Sequence, residues 1–441
     1  MQLRSSLQQV WKHPVSKTVI EMFFGQLLLF VDGLLVASLG LVSINAVGVT
    51  SMLLLSYGII VYSIAIASAN KVGKIVGENR STELQKEAVV VQAFYLTSKI
   101  SLVLGVMTLY FAPQLLEICR ADPETVEQGS VYLCIVGGLY LLDALRIQAA
   151  CSLRAVKEFN APVWSAVWMN VVHFVLAPVA LYGLNAGLKG AGWATVLSQS
   201  IGLLLLLRPL RRSYLGKIPW KWNWSVQRML ITLSWREIVR GAILRVTLVY
   251  YASAFFLYGP KAYEAFRIHE QFVHRSYVFL DAFVFALSPL VSTLYGKNNK
   301  EEDRKLVRLV TRMTLCVVGV MGSLGLLMWA GSDWIIGFYT DDPTTAVIAK
   351  QMFLTSAFWL PPFTCFCVLN GVLRSVEELS ASMVIGILTS VVWMGSVILI
   401  QQMQWGVTAL LISYVAFDMT RGSLVTGCFF TGWWRKKKRR H

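Results

Sequence analysis

The chain has 441 residues, of which 56% are hydrophobic and only 15% are charged. Because a soluble globular domain carries about a quarter of its residues as charged side chains, this composition excludes an ordinary soluble enzyme or binding domain. The formal net charge is +16, but the basic residues lie between apolar segments. The charge therefore indicates membrane topology, and we expect no nucleic-acid partner.

Apolar segments long enough to cross a bilayer follow one another along the chain. A span needs about 20 mostly apolar residues, and a helix satisfies its backbone hydrogen bonds internally. The first half predicts helices at residues 17–39, 44–70, 88–112, 128–150, 162–184 and 189–209. The second half predicts helices at residues 238–258, 265–295, 306–330, 346–371, 382–402 and 405–430. We therefore expect an all-α membrane protein with twelve transmembrane helices in two pseudo-symmetric six-helix lobes.

These helices divide the chain into four predicted parts. They are an amino-terminal lobe at 1–212, an interlobe cytoplasmic linker at 213–237, a carboxy-terminal lobe at 238–430 and a basic cytoplasmic tail at 431–441. Lys and Arg concentrate in alternate loops and in the tail, which places both termini in the cytoplasm. Alternatively, the tail binds anionic lipid or nucleic acid. We expect a multi-pass monomer of the cytoplasmic (plasma) membrane, in contact with membrane lipids.

The two halves repeat short sequence landmarks. Residues 153–158 read Leu-Arg-Ala-Val-Lys-Glu, and residues 373–378 read Leu-Arg-Ser-Val-Glu-Glu, 220 positions later. Residues 121–123 recur at 341–343 with the same offset. Six helices per half give both halves one orientation, so we expect them to be related by an axis along the membrane normal.

Several motifs resemble those of the multidrug and toxic compound extrusion (MATE) family. Asp32 precedes a Leu-Gly pair, residues 76–79 read Val-Gly-Glu-Asn, and residues 190–198 read Gly-Ala-Gly-Trp-Ala-Thr-Val-Leu-Ser. The resemblance implies twelve helices in two lobes. It also implies export of a small organic molecule in exchange for incoming H+ or Na+.

The resemblance assigns cation coupling to an acid in the first helix, and Asp32 occupies that place. Thr195 matches a threonine that lies beside this acid in the family. The fifth helix departs from the pattern, because His173 and Ala177 stand where many prokaryotic members carry Asn and Asp. With one acidic ligand missing, a set of hard oxygens for Na+ is in doubt, and H+ is favoured.

The residues themselves support the same group. Asp32 lies deep in the first predicted helix, where a carboxylate costs several kcal/mol unless it is protonated, paired or wetted. It therefore either carries a proton or bonds to a neighbouring helix as a structural group. His173 is either a packing group or a partner that titrates jointly with Asp32. Asn170, near His173 on the same helix, either hydrogen-bonds in the same cavity or packs between helices.

Two residues of the second half are candidates for substrate binding. Asp281 lies deep in the predicted helix 265–295, where it can meet a cationic substrate or a second proton. Trp359 lies among other aromatic residues, which either stack on a flat hydrophobic cation or face lipid. We expect no metal site.

Two Asp–Arg pairs have a spacing of three residues, which places both members of each pair on one helix face. The pairs are Asp143 with Arg146 and Asp418 with Arg421. Pairing lowers the cost of an intramembrane charge, so we expect both to be structural ion pairs.

The sequence contains no P-loop and no hydrolase or dinucleotide-binding motif, so we expect neither an enzyme nor a cofactor. We predict a secondary active antiporter that exports amphiphilic or cationic organic compounds in exchange for H+ rather than Na+. One alternative is a flippase for lipid-linked saccharide or another lipid on a related scaffold, which would need a basic cavity. The other is a non-transporting membrane scaffold or receptor.

Overall fold

The computed structural model describes residues 14–78, 83–119, 121–214, 221–297, 299–432 and 434. Within these ranges the chain is helical and contains no β-strand. It forms two compact units, of which the first ends at Trp235 and the second begins at Arg236.

Within the described ranges, the first unit contains seven helices followed by the start of an eighth. They are α1 (Pro14–Ala37), α2 (Leu41–Gly77), α3 (Glu83–Ile118), α4 (Pro123–Gly138), α5 (Tyr140–Ala155), α6 (Asn160–Pro178, continued by a π-helical turn at Val179–Gly183), α7 (Gly187–Tyr214) and α8 (Trp224–Leu257). Helix α8 continues into the second unit. The helices that follow are α9 (Pro260–Gly296), α10 (Lys300–Ala330), α11 (Ser332–Gly337), α12 (Pro343–Ser375), α13 (Leu379–Gln402) and α14 (Gly406–Phe430).

Most of these helices suit a bilayer. In the described part of the chain, nine helices are long and apolar enough to cross a membrane, and α4 with α5 would form a tenth, bent span. Helices α1 and α14, of 24 and 25 residues, complete the series. The expected all-α fold, with six long helical segments in each lobe, is confirmed.

The fourth predicted helix, residues 128–150, is wrong in its continuity. Helix α4 ends at Gly138 and α5 begins at Tyr140, with a bend of 44° between them. A Cβ atom on Gly105 of α3 would lie 2.6 Å from the Gly138 carbonyl oxygen. The backbone of α3 therefore packs directly against the bend, an approach that only a residue without a side chain allows.

The predicted linker at 213–237 contains more helix than we expected. Helix α7 ends at Tyr214 and α8 already begins at Trp224, while residues 215–220 lie outside the described part. Most of the predicted tail at 431–441 also lies outside it. The four predicted parts of the chain stay predictions.

The repeated landmark at residues 121–123 and 341–343 caps a helix in each half. Asp122 accepts a hydrogen bond from the Thr125 backbone N–H at 3.0 Å, and Asp342 accepts one from the Thr345 N–H at 2.8 Å. Such caps satisfy an N–H that the helix itself leaves free. Lys261 also donates to Asp342, and together these hydrogen bonds hold the pKa of Asp342 at about 2.

The repeated landmark at residues 153–158 and 373–378 binds a glutamate in each half. Arg154 Nη1 lies 2.6 Å from Glu21 Oε1 of α1. Arg374 Nη1 lies 2.8 Å from Glu237 Oε1 of α8. We call these two part-buried ion pairs the first and second clamps. Each clamp fastens the first helix of its half to the helix that carries the landmark.

Candidate functional site

The three residues expected to couple a cation meet where α1, α6 and α7 come together. Asp32 Oδ1 on α1 lies 2.9 Å from His173 Nε2 on α6. The Thr195 hydroxyl on α7 donates to Asp32 Oδ2 at 3.3 Å. Each of the three residues is at most 4% exposed. A buried carboxylate thus has a basic and a hydroxyl partner from two other helices.

Small residues let α7 reach this position. A Cβ atom on Gly190 would lie 3.0 Å from Ala180, and one on Gly192 would lie 3.2 Å from Ile135 of α4. Within a bilayer the hydrophobic effect does not drive helices together, so close van der Waals packing of this kind stabilises their contact. It places Thr195, which follows one turn later, beside Asp32.

Two further residues complete the site, and sequence analysis assigned a role to neither. Ser198 Oγ lies 3.5 Å from His173 Nδ1 and donates to the Thr195 carbonyl oxygen at 2.8 Å. Tyr132 of α4 lies beside Thr195 and within electrostatic reach of Asp32. Ser198 was detectable in principle, because it follows Thr195 by three residues and so shares its helix face.

Asn170 lies close to this group but does not bond to Asp32. Its amide nitrogen donates to the carbonyl oxygens of Phe24 and Ala166, both at 2.8 Å. Its amide oxygen has no hydrogen-bond partner within the described ranges. Asn170 therefore joins α6 to α1, as the interhelical alternative expects, and its part in coupling stays a prediction.

The arrangement suits proton exchange. A hydrogen-bonded carboxylate and imidazole take up or release a proton as one unit, since each changes the charge that the other feels. Val36, Ala177 and Ala191, on the same three helices, belong to a buried apolar cluster. A change of charge here therefore alters the packing energy of α1 against α6 and α7.

The second unit places its two candidate residues in different environments. Asp281 on α9 is exposed. Trp359 on α12 is 3% exposed, with ring centroids of Phe363 and Tyr414 at 5.6 and 5.0 Å. Burial in an aromatic core argues against the lipid-facing alternative for Trp359. Its contact with substrate stays a prediction.

Both predicted Asp–Arg pairs are confirmed. Arg146 Nε donates to Asp143 at 2.8 Å, and Arg421 forms an ion pair with Asp418. The Arg421 guanidinium also lies over the rings of Phe363, Phe366 and Phe417, 5.1, 4.5 and 4.3 Å from their centroids. The described residues hold no group of three or more His, Cys, Asp or Glu that could bind a metal ion.

Comparison with known proteins identifies a matching family and similar proteins. The model of the MatE family matches residues 18–179 and 243–396. The chain is 22% identical to "Probable multidrug resistance protein YpnP" of Bacillus subtilis (strain 168) over 372 residues, 82% of this chain and 80% of that protein.

Solved structures of transporters share the fold. A MOP superfamily transporter from Pyrococcus furiosus, described as having a binding pocket of reverse polarity, matches with a TM-score of 0.86 at 16% identity over 96% of both chains. The bent form of the Vibrio cholerae MATE transporter VcmN matches with a TM-score of 0.86 at 14% identity over 99% of both chains. At such identities the likeness concerns the fold alone.

Proposed function

The chain belongs to the MatE family of multi-pass membrane transporters, and from that premise we propose that it is a secondary active antiporter driven by H+. It exports an amphiphilic or cationic organic compound while a proton enters. The observation that carries this proposal is the buried contact of 2.9 Å between Asp32 and His173. The name of the Bacillus subtilis relative supports the substrate class.

The donor set favours H+ over Na+. Na+ would need several hard oxygen ligands around it. The Asp32 carboxylate is contacted by the Thr195 hydroxyl at one oxygen and by an imidazole nitrogen of His173 at the other. An imidazole next to a carboxylate is well suited to a proton and poorly suited to Na+.

The proposed cycle begins with a proton that reaches Asp32 from outside. Protonation cancels the carboxylate charge, which weakens its hydrogen bonds to His173 and Thr195. Helix α1 then repacks against α6 and α7, and the conformation that releases substrate becomes the more stable one. When the proton leaves on the cytoplasmic side, the charged hydrogen bonds form again.

The remaining assignments complete the proposal. Asp281 and Trp359 bind substrate by charge attraction and by stacking. The protein acts as a monomer in the cytoplasmic membrane with both termini in the cytoplasm. It carries out transport and no covalent chemistry.

The test is the Asp32→Asn variant in proteoliposomes with an imposed pH gradient, using ethidium as the transported cation. Asparagine keeps the size and one acceptor oxygen of aspartate but carries no exchangeable acid proton. We expect pH-driven ethidium transport to be lost while ethidium binding remains. The control is Asp333→Asn, an equivalent change at a side chain that is 75% exposed. Undiminished pH-driven transport by Asp32→Asn would refute the proposal.

A further inference from the structure

An exposed lysine lies inside one of the spanning helices of the first unit. Lys99 is on α3, within the apolar segment Gln85–Ile118. It follows Glu83, the first residue of α3, by 16 positions, about 24 Å along the helix axis. In the described part of the chain, no carboxylate forms an ion pair with it. An ammonium at such a depth is costly unless it reaches water or meets a counter-charge.

The ring of Trp222 lies against this lysine, just before α8 begins. Lys99 Nζ is 3.6 Å from the centroid of the Trp222 ring. Tyr95, one turn before Lys99, packs edge-on against the same ring with a centroid distance of 6.1 Å, and Trp224 stacks on it at 6.3 Å. A ring face attracts an ammonium through its quadrupole but carries no negative charge. The rings therefore position Lys99 without neutralising it.

Two glutamines hold this aromatic segment against α3. Gln92 Nε2 donates to the Lys221 carbonyl oxygen at 2.7 Å. Gln227 Nε2 donates to the backbone carbonyl oxygen of Gln92 at 2.8 Å and to its side-chain oxygen at 2.9 Å. Both glutamines are at most 2% exposed. Hydrogen bonds on both sides of Trp222 in the chain thus fix its place over Lys99.

An exposed apolar face continues along α3 beyond Lys99. Leu102, Val103 and Val106 are 56%, 58% and 44% exposed. They follow Lys99 by three, four and seven residues, so they share its side of the helix, and we call them the α3 stripe. Helical side chains tilt towards the helix N-terminus, so the ammonium lies at the end of the stripe that we predict to be cytoplasmic. A positive charge followed by apolar side chains complements a lipid with an anionic head group and acyl chains.

The charge of this surface has one sign. Lys221 and Arg228, before and one turn after Trp224, are both exposed. Residues 88–116 of α3 and residues 221–236 contain no Asp and no Glu. An anion that approaches from the bilayer therefore meets three basic side chains and no acid from either segment.

We propose that this surface binds an anionic phospholipid. The Lys99 ammonium contacts the lipid phosphate, and the rings of Trp222 and Trp224 lie at the level of the head groups, where such rings are typical. The acyl chains follow the α3 stripe. The bound lipid supplies a counter-charge to Lys99 and holds the start of α8 against α3. The site shares no residue with the Asp32 group, so it is independent of the proposed antiport.

The test is native mass spectrometry of the full-length protein in a neutral detergent, titrated with phosphatidylglycerol or with phosphatidylcholine. We expect wild type to bind the first phosphatidylglycerol about fivefold more tightly, the gain from one lysine at an anionic surface. Lys99→Met should remove this preference, and Lys99→Arg should keep it. The control Lys189→Met, the same change at an exposed lysine of α7, should also keep it. Equal affinities for the two lipids in wild type, or an unchanged preference in Lys99→Met, would overturn the proposal.

Two further measurements test the lipid assignment and the aromatic contact. Glycerol 3-phosphate carries the phosphate without acyl chains, and at equal concentration it should not displace phosphatidylglycerol; displacement would assign the site to a free phosphate and overturn the lipid. Trp222→Leu should weaken the first phosphatidylglycerol by about two- to fivefold, because Lys99 loses the ring that positions it. The control Trp168→Leu changes a ring of α6 that is 50% exposed and should leave the affinity unchanged. Equal affinities in the two tryptophan variants would overturn the part assigned to Trp222.

Discussion

The substitution Glu21→Gln tests how much the first clamp, which joins α1 to α5, contributes to the free energy of unfolding. The Arg154 and Glu21 side chains are 4% and 11% exposed, and their nearest charged atoms are 2.6 Å apart. Glutamine keeps an acceptor oxygen but removes the negative charge that faces the buried Arg154 guanidinium. Removing one partner of a buried ion pair costs about 3–5 kcal/mol. Since one hydrogen bond can remain, we expect about 3 kcal/mol, or roughly a 150-fold change in the unfolding equilibrium.

Thermal unfolding of the purified protein, followed by a thiol-reactive fluorophore, measures this loss. Cys151 is 2% exposed and accepts a hydrogen bond from Arg154 at 3.1 Å, so its reactivity reports on the clamp directly. The exchange Glu21→Arg with Arg154→Glu should recover part of the lost stability. An unchanged unfolding temperature in Glu21→Gln would show that the pair contributes nothing, and the reasoning would be refuted.

Three other predictions concern the site, the helix packing and a cap. His173→Ala should reduce the ratio of ethidium concentrations across the proteoliposome membrane from about tenfold per pH unit towards one, because Asp32 loses its basic partner. An unchanged ratio would exclude His173 from coupling. Gly105→Ala should lower the free energy of unfolding by about 1–3 kcal/mol, because its Cβ would lie 2.6 Å from the Gly138 carbonyl oxygen. The control Gly319→Ala, with no atom within 4 Å of the added Cβ, should not lower it. Equal unfolding temperatures for the two variants would contradict the close packing. Asp342→Asn should unfold at a lower temperature than wild type near neutral pH, because the charged Asp342 carboxylate, with its lowered pKa, stabilises the folded protein at pH values above 3.8. As the pH falls from 3.8 towards about 2, Asp342 becomes protonated in wild type and the two unfolding temperatures should converge. A difference in unfolding temperature that does not depend on pH would contradict a charged cap.

The helices and the main site residues were accessible from the sequence. Apolar length and turn signals predicted the spanning segments, because lipid permits little backbone other than helix. The resemblance to a known family named Asp32 and Thr195, and helix position pointed to His173. The structure brings these three side chains together, while their role in coupling stays a prediction.

The clamps show what sequence alone could not supply. The repeat identified Arg154 and Arg374 as equivalent, but their partners Glu21 and Glu237 do not share the 220-residue offset. Each partner lies more than 130 positions away from its arginine, with 133 between Glu21 and Arg154. Contacts at that range depend on how the helices pack, which a single sequence does not record.

The bend between α4 and α5 was missed for a similar reason. Residues 128–150 are apolar enough for one helix, and Gly137 and Gly138 permit a helix as readily as a break. The deciding feature is Gly105 on α3, whose backbone comes close to the Gly138 carbonyl oxygen. A neighbouring helix, rather than local propensity, fixes the break.

The most direct test of proton coupling compares two gradients in proteoliposomes that contain the wild-type protein, at zero membrane potential. We predict that a pH gradient drives ethidium accumulation without Na+, by about tenfold per pH unit for one exchanged proton. We also predict that a Na+ gradient at equal pH on both sides drives none. Accumulation under the Na+ gradient but not under the pH gradient would contradict the account.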